Sequence, residues 1–229
     1  RSFPSYSFHR NDTAERKVNL ENLLDILPIN AKIFHVGSLG LIEGQDAEVW
    51  EKFFKICKQK GLITSLDPNV RPILIQDRKN YIKRLERMFF DVDILKLSNE
   101  DLQWIYPSKS LDQSFEILQS KTKAQLLILT LGEEGSIGKT SNFEVKISSK
   151  KISDLRDTVG AGDTYMASIL NWFIDHKIFD IGLVKNLKKP DLSSMMDKAS
   201  IAAVLNCKKI GCNPPSREDI EIFIKKENF

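Results

Sequence analysis

The sequence predicts an α/β protein built on a doubly wound, mostly parallel sheet with helices on both faces. Short apolar segments recur at residues 33–36, 62–66, 93–97 and 126–131. Segments in which apolar residues have helical spacing lie between them, so strands and helices alternate along the chain. Strands that are apolar throughout are typical of a parallel sheet covered on both faces.

Two helices between these strands are predicted from single apolar stripes. The first follows the strand at residues 33–36, and the second follows the strand that ends at Asp67 and Pro68. The stripes consist of Val49, Trp50, Phe53, Phe54 and Cys57 in the first helix and of Tyr81, Ile82, Leu85, Met88 and Phe89 in the second. One or two more helices are expected before the strand at residues 126–131.

The pattern changes after Gly135. Residues 136–139 and 143–147 alternate like the strands of a hairpin around a polar turn. The remainder is predicted to be mainly helical, over residues 162–176, 192–208 and 217–226.

Composition restricts the classes of function. The chain has 229 residues, 41% hydrophobic and 28% charged, and 34 basic against 31 acidic residues give a net charge of +3. Dispersed charge of this kind carries no nucleic-acid footprint, and no apolar stretch approaches the ~20 residues of a membrane span. Three cysteines without a CxxC pair predict neither a disulfide framework nor a zinc site. The expected setting is the reducing cytoplasm.

The most informative stretch is DTVGAGD, at residues 157–163. Apolar residues recur after it at helical spacing, which predicts a core-facing helix that begins near Gly162. These residues are Met166, Ile169, Leu170 and Phe173. The first turn of a helix exposes unpaired N–H groups and the positive end of the helix dipole. Because Gly160, Ala161 and Gly162 have almost no side chains, a phosphate can approach this backbone closely.

Asp163 lies in the first turn of the same predicted helix. Phosphoryl transfer requires positioning, charge neutralisation and a base that takes the proton of the attacking hydroxyl, and this carboxylate is placed to be that base. The structural alternative is that Asp157 or Asp163 only caps the helix and that the glycines only form a turn.

The segment DTVGAGDTYMASIL resembles the C-terminal signature of the ribokinase-like (PfkB-type) carbohydrate kinases. Other segments resemble the motifs of that family, in the family's order. They are HVGSLGL (35–41), SLDPNVRP (65–72), DILKLSNEDLQWIYP (93–107), LILTLGEEGS (127–136) and KKIGCNPPS (208–216). SLDPNVRP and KLSNEDL are most similar to the bacterial fructokinase branch. The resemblance covers nearly the whole chain, and it implies a ribokinase-like fold and a kinase that uses ATP and Mg²⁺.

The resemblance implies that Asp163 is the catalytic base and that the backbone of residues 160–162 holds the transferring phosphate. Arg71, in DPNVRP, matches a position that contacts the sugar or an acidic group on it, and Arg is a good partner for such groups. Arg10 and Phe8 match a lid position that closes over the sugar. The alternatives are that Arg71 lies on the surface beside a post-strand turn, and that Arg10 faces solvent on an edge strand.

Nucleotide contacts are also implied by the resemblance. Thr130, Gly132 and Gly135 match the strand-to-loop segment around ATP, although these glycines would equally suit a tight hairpin entry. Ser98 and Asp101 match the two key positions of an element that helps to place Mg²⁺ and the phosphates, with Asp101 acting through water. The competing interpretation makes Ser98 the N-cap of the following helix.

The C-terminal part of the resemblance concerns the adenine and a monovalent cation. Asn206 and the loop of residues 211–213 match a segment that lies near the adenine. In many relatives a monovalent cation such as K⁺ lies beside this loop and the strand of Asp157, with backbone carbonyls as its main ligands.

The start of the chain is predicted to be part of a lid. Residues 1–11 alternate like a strand, and the segment SYSFHR resembles a family segment from the lid and sugar site. We therefore expect residues 1–13 to be a partial lid strand segment and residues 14–229 to be a kinase domain that lacks its N-terminal portion. Relatives pair through lid strands, so the resemblance also implies a homodimer.

Three functions are consistent with these residues. The first is phosphorylation of D-fructose to fructose 6-phosphate. The second is a kinase of the same family for 2-keto-3-deoxygluconate, ribose or a nucleoside. The third is a catalytically inactive relative that serves as a binding or regulatory protein. In each case the expected partners are a sugar and ATP, not a nucleic acid or a membrane.

Overall fold

The computed structural model describes residues 8–151 and 154–226. Six strands form one sheet in chain order. They are β1 Ile33–Gly37, β2 Ile63–Asp67, β3 Ile94–Ser98, β4 Leu126–Thr130, β5 Ser136–Lys139 and β6 Glu144–Ile147. β1 pairs in parallel with β2, which pairs in parallel with β3, and β5 and β6 form an antiparallel hairpin. The α/β class with a mostly parallel sheet is thereby confirmed.

The helices follow the predicted order, apart from Leu20–Ile26 and Ile181–Lys185, which were not predicted. They are α1 Leu20–Ile26, α2 Gly44–Gln59, α3 Arg78–Asp91, α4 Asn99–Ile105, α5 Leu111–Lys121, α6 Ala161–Asp175, α7 Ile181–Lys185, α8 Lys189–Cys207 and α9 Arg217–Lys226. Short 3₁₀ turns occur at Ala14–Lys17, Ser38–Leu41, Pro72–Leu74 and Gly132–Glu134. Among the described residues, none of these helices has the length and apolar character needed to cross a bilayer.

The chain divides into two compact units. The first comprises the residues up to Leu127 together with Phe179–Gly182, and the second comprises Ile128–Ile178 and Leu183 onwards. The strands β1 to β3 therefore belong to the first unit, whereas the β5–β6 hairpin and the helices α6, α8 and α9 belong to the second.

Some boundaries differ from the sequence-based expectation for identifiable reasons. α8 begins at Lys189 rather than at residue 192, because Pro190 lies in its first turn and Asp191 accepts a hydrogen bond from the backbone of Lys188. The strand-like alternation at residues 1–11 lies mostly outside the described residues. Its described end, residues 8–11, is not in a strand.

The apolar stripe of α2 is buried in the first unit. Val49, Phe53 and Cys57 form one cluster with Leu23 of α1 and Leu62. Cys57 is fully buried, and this burial raises the pKa of its thiol to about 11. The thiol is therefore protonated near neutral pH, and Cys57 is a small core residue, as predicted.

The strand β3 begins at Ile94, one residue later than predicted, because Asp93 holds the neighbouring strand with its carboxylate. Oδ2 of Asp93 accepts hydrogen bonds from the backbone N–H of Thr64 at 2.9 Å and from its hydroxyl at 3.0 Å. Lys58 of α2 forms an ion pair with the other oxygen of Asp93. These bonds fix the register between β2 and β3 and satisfy a buried charge.

A second buried ion pair lies at the carboxyl end of β2. Nζ of Lys96, in β3, lies 2.7 Å from Oδ2 of Asp67, and these side chains are 4% and 5% exposed. The sequence predicts Asp67 at the end of a strand and Lys96 within an apolar strand, but it does not predict their contact. A charged pair this deeply buried requires both partners, since either charge alone would be uncompensated.

Candidate functional site

In the second unit, residues 157–160 of the DTVGAGD segment form a tight turn, and the rest of the segment is the start of α6. Gly160 is the N-cap of that helix and has a left-handed backbone, with φ of 76° and ψ of 3°. A Cβ atom at this position would lie 2.3 Å from Sγ of Cys212. Both the backbone angle and the contact with Cys212 therefore require glycine here.

Asp157 holds this turn from one side. Its Oδ1 accepts a hydrogen bond from Val159 N–H, and its Oδ2 accepts one from Gly211 N–H, each at 2.9 Å. These N–H groups, Val159 first, hold the pKa of Asp157 below its usual value. Asp157 therefore caps the turn as an ionised carboxylate and joins it to the loop after α8.

Asn206 holds the same turn from the other side. Its side chain is fully buried in the last turns of α8. Nδ2 of Asn206 donates to the carbonyl oxygen of Val159 at 2.8 Å, and Oδ1 accepts from Asn213 N–H at 2.9 Å. Both ends of the amide are thus engaged by backbone groups, whereas the resemblance predicted a contact with the nucleotide.

The N–H groups at the start of α6 are not equivalent. Ala161 N–H donates to the carbonyl oxygen of Thr158 at 3.2 Å. Within the part of the chain that the structure describes, no protein acceptor receives the N–H of Gly160 or Gly162. Of the three backbone groups predicted to hold a phosphate, these two are therefore available, while that of Ala161 is shared with the turn.

Asp163 lies on the exposed side of the first turn of α6. Met166, Ile169 and Phe173, three of the four residues predicted as the core face of this helix, are all at most 2% exposed. Thr164 is also buried. The carboxylate of Asp163 is therefore not part of the packed core, as its predicted role requires.

We expect Gly160→Ala to lower the melting temperature and to reduce the rate of phosphoryl transfer about tenfold or more. The new methyl group would contact Cys212 and force alanine to φ of 76°, at about 1–2 kcal/mol for the backbone alone. Adding Cys212→Gly should restore part of the loss, because it removes Sγ and Cβ and leaves only Cα, at 3.3 Å. Melting curves and turnover measure both effects.

Gly61→Ala is the matched control for that substitution. Gly61 also has a positive φ, 83°, but nothing lies within 4 Å of an added Cβ. It should therefore show the cost of the backbone angle without the steric contact. If Gly160→Ala and Gly61→Ala were equally mild, close packing of Cys212 against the turn would not constrain the site.

The glycines near β4 have different environments. Gly132 is exposed and has φ of 59°, and nothing lies within 4 Å of an added Cβ. Gly135 is buried, and an added Cβ would lie 2.0 Å from the carbonyl oxygen of Ile147 in β6. Gly135 is therefore required by the hairpin, while Gly132 and the half-buried Thr130 remain accessible from solvent.

In the first unit, Ser98 and Asp101 form the capping box of α4. Ser98 Oγ accepts from Asp101 N–H at 3.1 Å, and Asp101 Oδ2 accepts from Ser98 N–H at 3.1 Å. The second oxygen, Oδ1, accepts from Val70 N–H at 2.7 Å. Asp101 is 6% exposed, and each of its carboxylate oxygens holds a backbone N–H. The N-cap interpretation of Ser98 is therefore confirmed, and the geometry favours a structural role for Asp101 over contact with a metal-bound water.

Arg71 lies in the loop after β2 and is half-buried. Its Nη1 donates to the carbonyl oxygen of Asn69 at 2.9 Å and to the Asn69 side chain at 2.5 Å. Asn69 has φ of 41°, which gives the loop a tight bend. Nε and Nη2 of Arg71 make no hydrogen bond to any described residue, so part of the guanidinium can still bind a ligand.

Arg10 and Phe8 line one open cavity of about 880 Å³ in the first unit, together with Ile73. Arg71 does not line it. The guanidinium of Arg10 is surrounded by acceptors: Nε donates to Glu15 at 2.7 Å, and Nη2 donates to the carbonyl oxygen of Leu39 at 2.9 Å.

Asp46, at the start of α2, adds a second carboxylate beside Arg10. Its Oδ2 lies 3.6 Å from Nη2 of Arg10 and 3.4 Å from Nη1 of Arg16, and the residue is 2% exposed. Neither Glu15 nor Asp46 was singled out from the sequence. Glu15 lies only five residues from Arg10 and could have been noticed in the sequence, whereas the contact of Asp46 with Arg10 depends on the fold.

Comparisons with known proteins identify the family of this chain. Residues 5–219 match the sequence profile of the pfkB family carbohydrate kinases. The chain belongs to that family. The fructokinase of Rhizobium leguminosarum bv. trifolii is 34% identical over 169 residues, which cover 72% of this chain and 50% of the relative. The chain spans about half the length of the curated relatives it matches.

Solved structures share the fold of this pfkB family member. The fructokinase of Xylella fastidiosa with bound ATP has a TM-score of 0.85 and 22% identity, covering 98% of this chain and 71% of that protein. A double mutant of the Vibrio cholerae O395 fructokinase, bound to fructose, ADP and potassium ion, has a TM-score of 0.80 and 20% identity. That match covers 96% of this chain and 68% of the other.

Proposed function

We propose that this chain transfers the γ-phosphoryl group of ATP to a hydroxyl of D-fructose, giving fructose 6-phosphate and ADP. The observation that carries the proposal is the turn before α6. Two backbone N–H groups that have no acceptor among the described residues, those of Gly160 and Gly162, are followed directly by the exposed carboxylate of Asp163. The proposal is also supported by the 34% identity between this chain and a fructokinase.

The reaction assigns a separate task to each of these groups. The sugar oxygen forms a bond to the γ-phosphorus, the bond from that phosphorus to the β,γ-bridging oxygen breaks, and ADP leaves. The hydroxyl proton passes to the carboxylate of Asp163. The N–H groups of Gly160 and Gly162 donate hydrogen bonds to the oxygens of the transferring group, where charge accumulates.

The state of Arg10 favours a neutral sugar over an acidic one. An arginine that binds a substrate carboxylate has to present an uncompensated positive charge. Here Glu15 and Asp46 already lie 2.7 Å and 3.6 Å from the guanidinium. An acidic sugar such as 2-keto-3-deoxygluconate would meet two carboxylates beside this arginine, which disfavours its binding. Ribose and a nucleoside are neutral and remain the second candidates.

Mg²⁺ is proposed as part of the Mg·ATP substrate. Both oxygens of Asp101 hold backbone N–H groups, so this carboxylate is not proposed as a ligand. The phosphates themselves are the main ligands that Mg²⁺ uses in such sites. A K⁺ requirement is proposed from the Vibrio cholerae relative, which was solved with potassium ion.

The cysteines of this chain are free thiols, and these thiols together with the use of ATP favour a cytoplasmic setting. Pairing of two chains through lid strands, and the division at residue 13, stay predictions.

A sugar panel tests the proposal directly. The full chain, with Mg·ATP and K⁺, should release ADP in a coupled assay when D-fructose is added, and about tenfold more slowly with 2-keto-3-deoxygluconate. ATP without sugar measures background hydrolysis. The proposal would be wrong if no sugar accelerated ADP release, or if the acidic sugar were the best substrate; faster turnover of ribose or a nucleoside would establish the second candidate.

A further inference from the structure

Asn206 is a fully buried polar side chain whose two hydrogen bonds both go to backbone groups. It donates to the carbonyl oxygen of Val159 and accepts from Asn213 N–H. Because the residue is 0% exposed, its amide presents no surface to the adenine of a nucleotide. Its partners lie in the turn before α6 and in the loop after α8, so its effect must pass through one of these segments.

The bond to Val159 determines the direction of a neighbouring N–H. In a trans peptide the carbonyl and the N–H of the same planar unit point in opposite directions, and no cis peptide occurs among the described residues. The carbonyl of Val159 points to Asn206. The N–H of Gly160, in the same peptide unit, therefore points away from Asn206.

Without that bond the peptide unit would be free to turn over. Glycine populates positive and negative φ about equally, so Gly160 offers little resistance to rotation of the unit before it. The other side of Val159 is already fixed, because its N–H donates to Asp157. Rotation of the peptide unit between Val159 and Gly160 is thus a motion that these bonds leave possible, and the hydrogen bond from Asn206 opposes it.

We infer that Asn206 is a positioning residue that aims the Gly160 N–H at the transferring phosphoryl group, rather than a residue that contacts the nucleotide. The inference rests on the proposed function, since it needs a phosphoryl group in front of that N–H. A donor that is oriented before the reaction stabilises developing charge without reorganising. Loss of this orientation should therefore lower kcat more than it weakens the binding of ATP.

Asn206→Asp is the sharpest test because it preserves the shape of the side chain. The retained oxygen still accepts from Asn213 N–H, but a second oxygen replaces the donor and faces the carbonyl of Val159. We expect kcat for fructose to fall about tenfold or more, with the KM for ATP and the Kd for ADP changed by less than about twofold. The tightening of ADP binding by AlF₄⁻, measured by calorimetry, should fall by a similar factor to kcat.

Controls separate this role from a general loss of structure. Asn142→Asp adds the same charge in the exposed hairpin turn of the same unit and should change none of these values. Asn206→Ala removes both bonds without adding a charge. It should lower kcat while retaining ADP binding, even if the aspartate variant does not fold.

The outcomes distinguish this inference from the proposed function. A wild-type chain with no sugar phosphorylation and no effect of AlF₄⁻ would refute the proposed function and the inference with it. An active wild type whose Asn206→Asp and Asn206→Ala variants keep their kcat would refute the inference alone. A raised Kd for ADP at constant kcat would instead show a nucleotide contact, and unfolding of both variants would show that Asn206 holds only the fold.

Discussion

Asp163→Asn is expected to lower phosphorylation of the sugar about a hundredfold or more while leaving folding and ADP binding nearly unchanged. An amide has the same shape as the carboxylate but cannot accept the hydroxyl proton. Asp163 is exposed in the first turn of α6, so the substitution leaves no cavity in the core. The measurements are turnover in the coupled assay, the Kd for ADP and the melting temperature.

Asp112→Asn is the matched control for this prediction. Asp112 is also an exposed aspartate in the first turn of a helix, in this case α5. It should reproduce the small loss of helix-dipole stabilisation without loss of turnover. Full activity of Asp163→Asn would refute the assignment of the base, and a similar loss in both variants would attribute the effect to helix capping.

Lys96→Met is expected to lower the free energy of unfolding by about 3–5 kcal/mol, because it removes one partner of a buried ion pair. Asp67 would keep its charge at the buried end of β2 without the ammonium group that now lies 2.7 Å away. Methionine has a similar length, so lost packing is a small part of the effect. Urea denaturation near neutral pH measures the change.

Two further variants show whether charge is the cause. Lys146→Met removes an exposed partner, 73% accessible and 3.8 Å from Glu144, and should change stability by less than about 0.5 kcal/mol. Adding Asp67→Leu to Lys96→Met should recover much of the lost stability, since no unpaired charge then remains. If the double variant were less stable than Lys96→Met, packing rather than charge would explain the loss.

The strands and the site-bearing helix were predictable because their signals are local. Apolar segments of four to six residues gave β1 to β4 to within two residues, and the bare GAG sequence before an apolar stripe located the start of α6. The short helices α1 and α7 were missed, since seven and five residues are too few to show a helical period.

The roles of individual polar side chains were harder to predict, since their partners are distant in sequence. Asp101 bonds to Val70, 31 residues away, and Asn206 bonds to Val159, 47 residues away. Gly135 is required because the far strand of a hairpin passes behind it. Sequence spacing alone does not show such contacts, so it could not separate residues that touch a ligand from residues that hold the backbone.

The carboxylate of Asp101 has a mechanical consequence for the first unit. One oxygen holds Val70, directly before Arg71, and the other holds Ser98 at the start of α4. The loop that contains Arg71 and the start of α4 are therefore held by the same carboxylate. A ligand that displaced Arg71 would therefore also displace the start of α4, and its binding would have to overcome the rigidity of both segments.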